Sequence, residues 1–201
     1  MLRTRAPVTI AGKPSLEGVF WGSGTELAVV APPHPLMGGE LGNPVVSAIA
    51  EGLVRAGLRA LLFNYRGVGE SEGEASGDFA DAVLDYRAAL AVARTSGVVR
   101  VFAGYSFGGA AALHLAAGDV DGVVLAVAPP PPLLSRELLG SLRGGAIVSG
   151  GRDAIAPDRS IRELASGSTL RVETFVEADH FFFSVLPDLG RVAEKVAGGV
   201  R

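Results

Sequence analysis

The sequence contains no cysteine among its 201 residues. Disulfide bonds, cysteine-ligated metal centres and thiol nucleophiles are therefore excluded for this stretch of chain. Lysine is also scarce, because Lys13 and Lys195 are the only two among the 18 basic residues. With 21 acidic residues the formal net charge is −3. This balance does not favour a nucleic acid as partner, because nucleic-acid-binding proteins usually concentrate excess positive charge.

Long apolar runs are missing as well. The most apolar stretch covers residues 122–134, and four consecutive prolines, Pro129 to Pro132, interrupt it. A helix across a bilayer needs about 20 consecutive apolar residues. The opening segment MLRTRAPVTIAGKP carries two arginines but no apolar run behind them, unlike a signal peptide. We therefore expect a cytoplasmic protein that does not associate with membranes.

The remaining composition is that of a folded chain. Apolar residues make up 48% of the sequence and charged residues 19%, which excludes a disordered, highly charged protein. A chain of this length can bury one substantial core without disulfides or metals. No internal repeat, long linker or low-complexity tract divides it. We therefore predict a single domain over residues 1–201, and the sequence does not indicate its oligomeric state.

Short apolar segments alternate with longer helical segments along the chain. Strands are predicted over residues 8–10, 16–20, 27–31, 60–63, 98–103, 122–127, 146–149 and 170–176. Helices are predicted over residues 44–56, 78–94, 107–117, 135–142, 158–165 and from Ser184 or Asp188 to about Ala197. This alternation is typical of βαβ units. It predicts an α/β fold with a mostly parallel sheet of seven or eight strands and helices on both faces.

The segment from Gly104 to Gly108 has the pattern G-x-S-x-G, with Ser106 at its centre. A predicted buried strand precedes it directly and an alanine-rich helix follows, which is the setting of a nucleophile elbow. Such a turn strains the backbone of the serine, and glycines on either side leave room for it. The motif alone is a weak signal, but in this context it predicts that Ser106 is a nucleophile.

Three segments together resemble the α/β-hydrolase superfamily, and the resemblance covers nearly the whole chain. They are Pro33 to Gly39 (PHPLMGG), Asn64 to Ser71 (NYRGVGES) and Gly104 to Gly109 (GYSFGG). They are most similar to small, lid-less bacterial hydrolases, most of which are regarded as hydrolases or carboxylesterases. In this fold the catalytic residues follow the order serine, acid, histidine. Residues 128–145, after the sixth strand, are also too few for a separate lid.

The resemblance implies that His180, in the loop after the last strand, is the general base. Of the other two histidines, His34 precedes the serine, and His114 is expected to be packed within its helix. The acid is expected after the penultimate strand, where Asp153 lies. Asp158 and Asp179 are the rivals, although Asp158 is expected to cap the next helix instead. Asp153 would hold the imidazole in the right tautomer and stabilise it once protonated.

The resemblance also implies two backbone N–H groups that stabilise the oxyanion. One belongs to the residue after the nucleophile, Phe107. The other comes from the loop after the third strand, where Leu36 is the predicted donor and Met37 the alternative. Pro35 is excluded because proline has no N–H.

Other motifs are discounted. The glycines between Gly67 and Gly73 lack nucleotide-loop spacing, and three nearby glutamates would repel phosphate. No histidine and carboxylate cluster has metal-ligand spacing, so we expect neither a cofactor nor a metal. The run from Phe181 to Phe183 could line an acyl pocket or anchor the last helix. Arg66 could anchor its loop near the site or be purely structural.

The prediction from these residues is a serine hydrolase acting on a small-molecule carboxylic ester, with short acyl chains favoured, through an acyl-enzyme. The same residues also suit thioesters, amides, peptides or acyl transfer, because function depends on pocket detail rather than on fold. A hydrolase-shaped binding protein without turnover is a further alternative.

Overall fold

Eight strands form one sheet in the computed structural model, which describes residues 5–119 and 121–199. The first four residues of the opening segment lie outside that range. The strands are β1 (Arg5–Ile10), β2 (Leu16–Trp21), β3 (Glu26–Ala31), β4 (Arg59–Phe63), β5 (Val98–Tyr105), β6 (Val123–Val127), β7 (Gly145–Gly150) and β8 (Arg171–Phe175). Their order across the sheet is β1-β2-β4-β3-β5-β6-β7-β8.

The sheet is antiparallel at one edge and parallel elsewhere. β2 pairs antiparallel with both β1 and β4, whereas the remaining neighbours pair in parallel. The prediction of a mostly parallel sheet with a strand pair at one edge is confirmed. Residues Leu27 to Ala31 of the central strand β3 are fully buried, as expected of a strand covered on both faces. Because parallel strands share a carboxyl edge, the loops after β3, β5, β7 and β8 meet there.

Six α-helices lie within the described ranges and cover the two faces of the sheet. They are α1 (Pro44–Arg55), α2 (Phe79–Ser96), α3 (Phe107–Ala116), α4 (Arg136–Ser141), α5 (Asp158–Ala165) and α6 (Leu186–Gly198). α1 packs against α6, and α2 packs against α3. None of the helices in the described ranges has both the length and the apolar character needed to cross a membrane.

Side-chain caps set the starts of three helices. The Asn43 side chain accepts a hydrogen bond from the Val45 N–H, and Asp78 and Ser135 cap α2 and α4 in the same way. Two predictions about helix starts are wrong. α5 begins at Asp158 as predicted, but Asp158 does not cap it, because its side chain accepts hydrogen bonds from Ser149 and Arg162 instead. α6 begins at Leu186, between the two predicted residues, after a short 3₁₀ turn.

The connection between β6 and β7 contains no cap domain. Residues 128–144 are all described, and they form only a 3₁₀ turn at Pro131–Leu133 and the six-residue helix α4. The predicted absence of a lid at this position is confirmed, so nothing inserted there covers the carboxyl edge of the sheet.

Candidate active site

Ser106 lies at the sharp turn between β5 and α3. Its backbone has φ 52° and ψ −117°, a strained conformation for a residue with a side chain. A Cβ at Gly104 would lie 2.2 Å from the Gly108 carbonyl oxygen, and one at Gly108 would lie 2.3 Å from the Pro32 carbonyl oxygen. Both glycines are therefore required for the turn. The strand, turn and helix form the predicted elbow.

His180 lies in the loop after β8 and reaches the serine. Its Nε2 atom is 3.1 Å from the Ser106 hydroxyl oxygen. The Tyr105 hydroxyl donates to the His180 carbonyl oxygen at 2.8 Å, and the two ring centroids are 5.5 Å apart. Burial raises the pKa of Tyr105, and the nearby Asp153 and Asp179 charges add to this, so the phenol stays a neutral donor. Tyr105, which precedes Ser106, thus holds the loop that carries His180.

Asp153 lies in the loop after β7 and completes a series of hydrogen-bonded side chains that runs from Ser106 through His180. Its Oδ2 atom is 2.7 Å from His180 Nδ1, and its Oδ1 atom accepts hydrogen bonds from the Ile155 and Ala156 N–H groups at 2.8 Å. Burial disfavours the charged carboxylate, but the hydrogen bonds from His180 and the two amides outweigh it and lower the pKa of Asp153. An ionised Asp153 makes Nδ1 the donor, which leaves Nε2 to accept the serine proton.

The rival carboxylates make other contacts. Asp158 accepts hydrogen bonds from the Ser149 hydroxyl and from Arg162. Asp179 accepts the Phe181 N–H at 3.0 Å, which shapes the loop that carries His180. In the described ranges neither carboxylate forms a hydrogen bond with the imidazole. The structure therefore brings Asp153 to His180 and leaves Asp158 and Asp179 apart from it.

The other two histidines lie outside this series. His114 is exposed, so the prediction that it is packed within α3 is wrong. Its Nε2 atom is 2.9 Å from the Leu133 carbonyl oxygen, and its ring meets Phe79 edge-on at 5.0 Å. His34 lies beside the elbow, with its ring centroid 4.6 Å from that of Phe107.

The predicted oxyanion donors differ in what they already contact. Phe107 is the first residue of α3, and N–H groups in a first helical turn have no acceptor within the helix. The Leu36 N–H donates to His34 Nδ1 at 3.2 Å, and the Met37 N–H donates to the His34 carbonyl oxygen at 3.0 Å. Neither of these two amides is free in the structure.

The His34 N–H is a candidate that the sequence reasoning missed. It has no acceptor within residues 5–119 and 121–199. A signal for it was present, because Pro32, Pro33 and Pro35 have no N–H and leave His34 with the only amide hydrogen in residues 32–35.

No metal centre is found in the part of the chain that the structure describes. Within those residues no three histidine, aspartate or glutamate side chains are grouped so as to hold an ion. The chemistry available to this arrangement is that of an activated hydroxyl. A serine within reach of a histidine that is oriented by a carboxylate is the usual geometry of covalent acyl transfer.

Known proteins share this architecture. The model of the α/β hydrolase fold family matches residues 37–145. An α/β serine hydrolase homologue from Coxiella burnetii is 27% identical, with a TM-score of 0.86 over 97% of this chain and 98% of that one. A lid-less α/β serine hydrolase from Xanthomonas campestris is 23% identical, with a TM-score of 0.85 over 97% and 94%. An uncharacterized protein of Rickettsia prowazekii is 29% identical over 78% of this chain and 71% of its own.

Proposed function

The chain belongs to the α/β-hydrolase fold family, and we propose that it is a serine hydrolase that cleaves small carboxylic esters through an acyl-enzyme. The observation that carries the proposal is the hydrogen-bonded series from Ser106 through His180 to Asp153, with distances of 3.1 and 2.7 Å. A serine hydroxyl is a weak nucleophile until a base removes its proton. His180 is the base within reach, and the buried carboxylate of Asp153 orients it.

Acylation uses each of these contacts. The Ser106 oxygen attacks the ester carbonyl carbon while His180 Nε2 takes the hydroxyl proton. Asp153 stabilises the imidazolium that forms and keeps its own negative charge. The tetrahedral intermediate then collapses, the bond to the alcohol oxygen breaks, and His180 delivers the proton to that oxygen. The products are a free alcohol and an ester between the acyl group and Ser106.

Deacylation repeats the same steps with water as the nucleophile. His180 removes a proton from water as its oxygen attacks the acyl carbon, and it then returns the proton to the Ser106 oxygen. The carboxylic acid leaves and the serine is restored. No cofactor enters either half of this reaction.

The oxyanion of each tetrahedral intermediate needs backbone donors, each typically worth about 3 kcal/mol. Phe107 is the first, with the N-terminal end of α3 adding a favourable dipole. Leu36 is the second donor predicted from the sequence, but its N–H must leave the His34 imidazole before it can bind an oxyanion. The His34 N–H has no such competitor in the described ranges, which makes His34 the alternative that we favour.

The direct test is Ser106→Ala, assayed on a panel of esters and thioesters of varied acyl length. We expect turnover to fall by a factor on the order of 10⁶, by analogy with other triads. The fold should survive, because the change removes one oxygen atom. Ser166→Ala, at an exposed serine that follows α5, is the control and should keep full activity. Near-normal turnover by Ser106→Ala would refute the nucleophile, and no turnover by the unaltered protein would refute the function.

A further inference from the structure

Three consecutive phenylalanines follow His180, and the structure places them in two different environments. Phe182 is fully buried, with its ring edge-on to Phe175 at 6.4 Å. Phe181 and Phe183 are 52% and 64% exposed. Their rings stack on each other with centroids 6.0 Å apart and planes 10° from parallel. The middle residue is therefore the anchor, and the outer two form an aromatic surface, which we call the phenylalanine pair.

This arrangement is unfavourable for stability. Phe182 has φ 56° and ψ 15°, in the left-handed region that costs a residue with a side chain free energy. Exposed aromatic rings forgo the large gain that burial would give them. A strained turn that holds two aromatic rings in solvent points to a use for those rings.

The position of the phenylalanine pair indicates that use. Phe181 follows the proposed base directly, and its ring meets the imidazole edge-on with centroids 6.0 Å apart. The hydrogen bond from the Phe181 N–H to Asp179 fixes the backbone there. The pair thus lies on the histidine side of Ser106.

The chemistry of acylation decides which part of an ester lies on that side. His180 Nε2 must deliver its proton to the alcohol oxygen, so that oxygen has to come within hydrogen-bond reach of Nε2. The group attached to the alcohol oxygen therefore extends past the imidazole, whereas the carbonyl oxygen points to the backbone donors near Phe107.

We propose that the phenylalanine pair binds the alcohol part of the substrate and selects esters of aromatic alcohols. The inference rests on the proposed function and adds the class of leaving group to it. An aromatic ring of the substrate packs on the exposed face of the pair, in the offset or edge-on geometry that aromatic rings prefer. An alkyl alcohol that is too short to reach the phenylalanine pair gains no binding free energy from it.

The test compares three esters with Phe181→Ala and Phe183→Ala. Benzyl acetate and ethyl acetate share an acyl group and differ in the alcohol, whereas ethyl phenylacetate carries its ring on the acyl side. The measured quantity is kcat/KM, which includes the acylation step and therefore the alcohol. Leu84→Ala removes a similarly exposed apolar side chain from α2 and serves as the control. Thermal unfolding of each variant checks that the fold is intact.

We expect each phenylalanine variant to lower the ratio of kcat/KM for benzyl over ethyl acetate by about tenfold. The ratio for ethyl phenylacetate over ethyl acetate should stay within about twofold, and Leu84→Ala should change neither. An unchanged benzyl ratio, or a fall in the phenylacetate ratio instead, overturns the inference while the hydrolase proposal stands. If the unaltered protein shows no Ser106-dependent turnover of any of the esters, the proposed function is refuted and the inference falls with it.

Discussion

Among the candidate carboxylates, Asp153 is distinguished by its 2.7 Å hydrogen bond to His180 Nδ1. Asp153→Asn keeps the size of the side chain but removes its charge and can hold the imidazole in the wrong tautomer. We expect turnover to fall by a factor on the order of 10⁴. Steady-state kinetics on a short-chain ester measures the loss.

Asp158→Asn and Asp179→Asn are the matched controls for that prediction. The amide oxygen that Asp179→Asn introduces can still accept the Phe181 N–H, and Asp158 contacts Ser149 and Arg162 rather than the imidazole. We expect turnover to change by less than about tenfold in either variant, because neither change alters the tautomer. A loss near 10⁴ in one of them, with a mild Asp153→Asn, would place the acid elsewhere.

The second oxyanion donor can be tested by pairs of substitutions. His34 has φ −59°, which proline adopts without strain, so His34→Pro removes the N–H and the ring whereas His34→Ala removes the ring alone. We expect His34→Pro to turn over an ester about 10²-fold more slowly than His34→Ala. Leu36→Pro and Leu36→Ala should differ little. The reverse pattern would identify Leu36 as the donor.

The sequence indicated those site residues whose role can be read from a motif or from their order along the chain. Ser106 followed from its motif, and the structure brings His180 and Asp153 to it from the loops where the resemblance placed them. The hydrogen bond from the Leu36 N–H to the His34 imidazole was not predictable, because it depends on the path of the loop. His114 was misjudged because α3 is apolar nearly all round, and such a pattern does not reveal which side faces solvent.

Two buried tyrosines, one on a helix and one after a strand, differ in whether their hydroxyls have hydrogen-bond partners. The Tyr86 hydroxyl, on α2, lies 2.7 Å from the Val29 carbonyl oxygen and 2.9 Å from that of Ala103, and so ties the helix to β3 and β5. The Tyr65 hydroxyl, after β4, is buried without a partner in the described ranges. The two phenols are therefore a matched pair for a stability measurement.

Denaturant unfolding of Tyr65→Phe and Tyr86→Phe measures that difference. We expect Tyr65→Phe to raise the free energy of unfolding by about 1 kcal/mol, because it removes an unsatisfied buried group. Tyr86→Phe should lower it by about 1–2 kcal/mol, because it removes the one O–H donor that lies between two buried carbonyl oxygens. Equal losses in both variants would show that Tyr65 is hydrogen-bonded in the folded protein.

Tyr65 and Tyr86 also make the stability of the fold depend on pH. Burial raises the pKa of both phenols, with the Asp85 charge adding to the effect at Tyr65. The contribution of each buried phenol to the free energy of unfolding is therefore fully present below the unfolded pKa of about 10. It falls as the pH rises beyond that value. Tyr65→Phe should show a shallower alkaline loss of stability than the unaltered protein.

Element types were predictable from the sequence, but their long-range ties were not. The caps of α1, α2 and α4 are local, so the residues that form them can be recognised in the sequence. Arg66, in contrast, donates to Asp85 at 2.7 Å and to Asp81 at 2.6 Å, which fixes the loop after β4 to α2. These partners lie on a helix well beyond the loop, and only the folded chain brings them together.

The architecture of the sheet and the absence of a lid after β6 could be predicted from the lengths and the alternation of the segments. Eight strands in a mostly parallel sheet were within the predicted range, and the connection of residues 128–144 is as short as expected. The single domain over residues 1–201 stays a prediction. The split roles of the three phenylalanines were not predictable, because they depend on the left-handed backbone at Phe182.

The open edge of the sheet sets the expected acyl preference. An uncapped site buries little of a long acyl chain, and each CH₂ contributes about 0.8 kcal/mol only when it is buried. We expect kcat/KM to be highest for acetyl and butyryl esters and to fall for octanoyl and longer chains. Activity on emulsions should show no jump above the solubility limit of the substrate. A preference for long-chain emulsified esters would mean that a hydrophobic groove receives the acyl group.

The proposed function requires Ser106 to be a nucleophile that His180 activates. A fluorophosphonate probe reports this directly, because it forms a covalent bond only with an activated serine. We expect one probe molecule per chain, located by mass spectrometry on the peptide that carries Ser106. The adduct should be absent from Ser106→Ala and strongly reduced in His180→Ala, and it should persist in His114→Ala. No adduct in the folded, unaltered protein, or an adduct on a different serine, would refute Ser106 as the activated nucleophile.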